Sequence, residues 1–189
     1  MILPIVAYGD PVLKKVADDI SPDYPHLSEL IDNMFETMEN ASGVGLAAPQ
    51  IGLPIRLFIV DTSPFAEEGE EDYEALKDFR RVFINAHIEE EHGDDWSFNE
   101  GCLSIPEVRE DVYRPETVTL RYMDEDFNEI TETFTGLIAR VIQHEYDHID
   151  GILFTDHLSP LRKRMIKSKL NLISKGKVSV NYRMKFPLK

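Results

Sequence analysis

The chain has 189 residues, 42% of them hydrophobic and 29% charged, with a formal net charge of −15. One core at this length buries roughly 70% of the unfolded surface, so no disulfide or structural metal is needed for folding, and the composition excludes wholesale disorder. The acidity argues against polyanion binding by the chain as a whole, but all 35 Asp and Glu precede residue 157 and half of the 20 Lys and Arg follow it.

Residues 2–20 hold short apolar clusters broken by Pro4 and Gly9-Asp10-Pro11, the pattern of extended chain and turn. Leu30, Ile31, Met34, Phe35 and Met38 recur at three- and four-residue steps, which predicts a helix over 28–40 with Ser28 as its cap. The run GVGLAAPQIGLP, 43–54, predicts a loop of small residues, followed by a strand over 55–60. Residues 61–79 form an acidic, solvated excursion with one helical turn near 73–79, read as solubility and loop variation. A second strand is expected over 82–88, and the acidic run Glu89 to Asp95 marks a turn. Strands over 108–113 and 117–123, a polar turn over 124–128 and a return strand over 130–134 follow. A helix over 136–149 ends before Gly151, and Ser159-Pro160 opens a basic helix to about residue 173. Residues 178–188 read as a last strand or a loose tail. Strands gathered between 55 and 134, with helices before and after, predict an α+β fold. In it, mostly antiparallel sheets pack around a central helix, with a further helix at the carboxyl end. No repeat or linker divides residues 1–189, so one domain is expected.

The sharpest chemical signal is His144-Glu145-Tyr146-Asp147-His148. Side chains four apart share a helix face, so both imidazoles can bind one metal ion while Glu145 reaches a water beside it. Leu137, Ile138, Val141, Ile142 and Ile149 bury this helix, which weighs against a face of surface histidines. A hydrolytic site needs a third ligand. His157 lies too far on for the metzincin spacing, and Asp147 and Asp150 remain as oxygen candidates. The better candidate is Cys102, in NEGCLSIP, although a lone cysteine is more often an inert buried side chain. Such a set suits Zn2+, Fe2+, Co2+ or Ni2+. GVGLAAPQ, 43–50, lacks the endings of a phosphate loop. Its small residues would let a peptide lie alongside as an added strand, and Gln50 would offer an amide donor to an oxyanion.

GVGLAAPQ (43–50), EGCLS (100–104) and QHEYDH (143–148), in that order, closely resemble the three signature motifs of the peptide deformylases. The resemblance runs from about residue 5 to 155. It implies removal of the formyl group from N-formylmethionine on newly made polypeptides, releasing formate. By motif position it implies Cys102, His144 and His148 as metal ligands, Glu145 as general base, and Gln50 with the Leu103 N–H as oxyanion donors. The family metal is typically Fe2+, with Ni2+ or Co2+ as good substitutes and Zn2+ often poorly active. The resemblance further places the methionine side chain in an apolar hole, for which Val44, Phe98, Leu137 and Val141 are the candidates. Val44, Gly45 and Gly101 would offer backbone to the peptide. Glu100 is expected to pair with Arg109 and steady the cysteine loop, and Arg140, where an apolar residue is expected, to line the pocket mouth or point outward. The rival reading is a zincin-like endopeptidase with a carboxylate as third ligand.

Arg162, Lys163, Arg164, Lys167 and Lys169 surround Leu161, Met165, Ile166, Leu170 and Ile173. One reading of this helix is an apolar stripe packed on the body with a solvated basic face. The other, implied by some family relatives, is a contact with ribosomal RNA. No apolar stretch approaches the roughly 20 residues that span a bilayer. The opening lacks a signal peptide's basic and apolar regions, and the single cysteine fits a reducing compartment. A cytoplasmic monomer without membrane attachment is the expectation.

Overall fold

The computed structural model describes residues 1–187. In chain order its elements are β1 (Ile5–Val6), α1 (Leu27–Asn40), β2 (Gly45–Ala47), β3 (Leu57–Asp61), α2 (Tyr73–Leu76), β4 (Arg80–Cys102), β5 (Ile105–Met123), β6 (Glu129–Thr135), α3 (Gly136–Ile149), α4 (Pro160–Ser174) and β7 (Met184–Lys185). Strands β2 to β6 form one antiparallel sheet in sequence order, while β1 and β7 pair in parallel. The class is α+β, as the sequence predicts.

The sheet lies between two helices because its strands alternate. Phe58, Val60 and Phe83 point to one face, where Ala139, Ile142 and Ile149 of α3 meet them. Leu57, Ile59, Val82 and Ile84 point to the other face, against Ile31, Met34 and Met38 of α1. Each large apolar side chain so buried contributes about 1.5–3 kcal/mol. A third cluster joins α4, through Ile166, Leu170 and Ile173, to Val6, Leu13, Ile105 and Phe154. Helix α3 is also held at its carboxyl end. The Ile149 carbonyl accepts from the Ala17 N–H at 2.8 Å, and buried Arg56 reaches Asp150 at 2.9 Å, a cation placed where the helix dipole favours one.

Several predicted boundaries change. Helix α1 begins at Leu27 behind His26, which has φ 55° and makes no side-chain cap, so Ser28 is not the cap. The loop predicted over 43–54 contains β2 and a 3-10 turn over Ala48–Ile51, because Gly45–Ala47 pairs with Phe58–Val60. The acidic run 89–95 is not a turn. It continues β4, with its carboxylates in solvent and the register with β5 shifting between His92 and Asp95. For the same reason the two strands predicted over 108–123 are one, since Pro115 sits opposite Asp95 at that irregularity. On α4 the predicted stripe is only partly used: Leu161 and Met165 are 63% and 61% exposed. The tail does form a last strand, β7, whereas Leu188 lies outside the described residues.

Candidate active site

The three chemical segments meet beside α3. Cys102 closes β4, the chain turns at Leu103 and Ser104, and β5 begins at Ile105. Cys102 Sγ and one nitrogen each of His144 and His148 lie within 4.8 Å of one another, with Sγ 3.4 Å from His148 Nε2. His144 donates from Nδ1 to Glu100 Oε1 at 2.9 Å, which fixes the ring and leaves Nε2 for the cluster. One sulfur and two imidazole nitrogens at this spacing fit a single borderline-soft divalent ion. Asp147 and Asp150 are engaged elsewhere: Asp147 by Arg114 and His157, Asp150 by Arg56. The candidate metal cluster contains neither of them.

Glu145 stands beside the cluster with Oε2 buried and without a hydrogen-bond partner among the described residues. Burial pushes its carboxyl up to about 7, against the pull of His144. Burial and the neighbouring His144 push His148 down to about 3, whereas His144, against the effect of its burial, is held well up by its bonds to Cys102 and Glu100. The close neighbour of Glu145 is Gly45: a Cβ there would lie 2.5 Å from Glu145 Oε1. Gly45→Ala is therefore expected to push the carboxylate off its position and lower kcat by roughly 10²-fold. Steady-state kinetics at unchanged metal content checks this; full kcat would show that the carboxylate has room to move.

Gln50 is oriented by its own loop. Its Oε1 accepts the Ala47 N–H at 2.9 Å, which turns Nε2 toward Ser104 Oγ at 3.2 Å and Cys102 Sγ at 3.5 Å. The donor end of the amide thus faces the ligand cluster.

Glu100 holds the cluster from behind. It accepts Arg114 Nε at 2.8 Å and Nη2 at 3.0 Å, and Arg140 Nη1 at 2.8 Å, besides His144. Burial alone would raise its pKa, but the bonds from His144 and Arg114 hold it well below the usual carboxylate range. The predicted Glu100–Arg109 pair does not form. Arg109 lies across the ladder from Gly101, so its side chain is on the opposite face from that of Glu100, and it binds Asn99 instead. Of the two places expected for Arg140, it takes the cavity wall and does not point outward: it is 1% exposed, lies over the Trp96 ring and donates to the Trp96 and Val112 carbonyls.

A cavity of about 680 Å³ opens onto these groups. Val44, Gly45, Gln50, Phe98, Glu100, Gly101, Leu103, Val141 and Glu145 all line it, as expected. Leu137 does not. One turn before Val141 on α3, it lies beyond the wall. Phe65, from the acidic segment read as solubility and loop variation, does line it and meets Phe98 edge-on.

Comparison with known proteins gives the same assignment. Residues 2–164 match the model of a family described as polypeptide deformylase. The chain belongs to that family. The peptide deformylase of Christiangramia forsetii is 64% identical over 190 residues, covering 99% of this chain and 97% of that protein. That of Salinibacter ruber is 50% identical, covering 96% and 93%. A crystal structure of a peptide deformylase from Legionella pneumophila superposes with a TM-score of 0.79 at 37% identity, covering 94% of this chain and 98% of that one. One from Thermotoga maritima does so at 0.74 and 34%, covering 85% and 99%. As a deformylase the chain is a hydrolase. Sequence reasoning missed Arg114, Ser104 and Tyr182 at this deformylase site. Their partners lie 14 to 79 residues away, and no spacing announces them.

Proposed function

We propose that this deformylase removes the formyl group from N-formylmethionine at the amino end of newly made polypeptides, releasing formate. The observation that carries the reading is the meeting of Cys102, His144 and His148 with the buried Glu145 carboxylate at the head of one cavity. The three ligands would hold one divalent ion, for which we propose Fe2+, with Ni2+, Co2+ or Zn2+ as substitutes. Such an ion, when bound, supplies the positive charge that acidifies water and polarises a carbonyl.

The chain's own residues do the rest. Glu145, ionised, takes a proton from the attacking water and hands it to the departing amine as the C–N bond breaks. Gln50 Nε2–H and the Leu103 N–H donate to the formyl oxygen as it gains charge. Val44, Gly45 and Gly101 present backbone to the peptide, which lies along β2 as an added strand. Val44, Phe98 and Val141 surround the methionine side chain, and the tight fit of Gly45 against Glu145 leaves room for a formyl carbon.

The test is anaerobic purification with metal analysis, then formate release from a formyl-Met peptide compared with its acetylated twin. Formyl-selective turnover with one metal per chain, lost to a chelator and restored by Fe2+, is the expected result. Equal rates on both peptides, or cleavage of internal bonds, would overturn the reading.

We also propose that the enzyme works in the cytoplasm as a monomer and touches the ribosome through α4, whose exposed Leu161 and Met165 lie among Lys163, Arg164, Lys167 and Lys169. Among the described residues no helix is long and apolar enough to cross a membrane. Co-sedimentation with ribosomes that weakens steeply with salt is expected. Salt-insensitive or absent binding would remove this part.

A further inference from the structure

The family match stops at residue 164, but the cavity does not. Ser179, Val180, Asn181 and Tyr182 form part of its wall. This segment is anchored by its continuation into β7: the Ile5 N–H donates to the Arg183 carbonyl at 3.0 Å and the Ala7 N–H to the Lys185 carbonyl at 2.9 Å. The next residue along, Tyr8, donates its N–H to the Ser104 carbonyl at 2.8 Å. The Tyr182 hydroxyl donates to the Leu103 carbonyl at 2.7 Å. The turn that carries Cys102, Leu103 and Ser104 is thus gripped by the tail twice, once directly and once through residues 5–8.

We infer that Tyr182 is a positioning residue for the oxyanion donor at Leu103, and that the segment 179–182 is a working part of the active site. Leu103 and Ser104 fall between the last ladder pair of β4 and β5, Cys102 with Ile105, so no strand partner fixes their peptides. The Leu103 carbonyl and N–H share one Cα. Tying the carbonyl to a phenol that packs among the residues of the α1-side core restrains the rotation that would swing the N–H away. Donors to a developing oxyanion act through being oriented before the reaction, so this restraint serves the transition state and not the bound substrate. From its other side the turn is held by Gln50, which reaches Ser104 Oγ. The two proposed donors are therefore coupled to one short piece of backbone.

The inference rests on the reading of the Leu103 N–H as an oxyanion donor. Its test is Tyr182→Phe in the full-length, metal-loaded enzyme. It is assayed beside wild type for kcat and KM on a formyl-Met-Ala-Ser peptide and for the thermal midpoint. Tyr182→Phe removes only the hydroxyl and keeps the ring in its core. The expected result is a fall in kcat of roughly ten-fold, from the looser donor geometry, with KM and the thermal midpoint essentially unmoved. Wild-type turnover with full kcat in Tyr182→Phe overturns the positioning role and leaves the deformylase reading standing. A lower thermal midpoint with full kcat per folded molecule assigns Tyr182 to stability and also overturns it. Failure of wild type itself to release formate removes the underlying reading and the inference with it.

Discussion

Glu145→Gln is expected to cut kcat by roughly 10²–10⁴-fold while the protein folds and keeps its metal. The amide has nearly the shape of the carboxylate and fits the same space against Gly45. It cannot accept the water's proton. Metal retention follows because Cys102, His144 and His148 form the ligand cluster without Glu145. The carboxyl is pushed up to about 7 by burial, and a cation bound beside it would pull that value down. Since the form proposed to act is the ionised one, wild-type kcat/KM is expected to fall as pH drops through the carboxyl's value in the loaded enzyme. The pH–rate profile and metal analysis of both proteins check this. Glu145→Gln with wild-type kcat would end the case for Glu145 as base.

Glu100→Ala should have the largest effect on stability. Glu100, 3% exposed, is the anion for two buried guanidiniums and the acceptor that orients His144. Removing it strands Arg140 as an uncompensated buried charge and takes from Arg114 one of its two carboxylates, at a cost of about 3–5 kcal/mol. Arg114 retains Asp147 at 2.8 Å, whereas Arg140 is left with the carbonyls of Trp96 and Val112. The freed His144 ring is expected to lower metal affinity by about 10–100-fold. Urea unfolding and metal competition measure the two effects separately. A stable variant with unchanged metal affinity would show that Glu100 is dispensable.

The neighbourhood of His144, Glu145 and His148 was legible in the sequence because their spacing is local. His144 and His148 share a helix face wherever that helix goes, and Glu145 stands next to the first of them. Cys102 and Gln50 were singled out by residue chemistry and tied to the site by their motifs, since nothing local says that residues 50, 102 and 148 meet. The fold class was readable from alternation, and β3 shows why: Leu57 to Val60 alternate between two cores. What the sequence hid depended on register. Arg109 and Arg114 both lie downstream of Glu100, and only the pairing of Gly101 with Arg109 decides which of them shares its face. The acidic run 89–95 misled for a related reason. Solvent-facing strand and turn favour the same charged residues, and the partner strand that settles the matter is 20 or more residues on. Arg140 looked out of place in an apolar pocket because Glu100, its counter-charge, is 40 residues back in the chain.

The wall supplied by residues 179–182 bears on how the enzyme comes to be. Translation delivers the ligands at 102, 144 and 148 well before it delivers that wall, and β1 waits even longer for β7. A chain interrupted at residue 177 would carry Cys102, His144, His148 and Glu145, yet its cleft would stand open along one side and the loop at 103–104 would lack its clasp. On the role proposed for Tyr182, catalytic competence therefore waits for residues 179–182, and a stop just before them should cost activity.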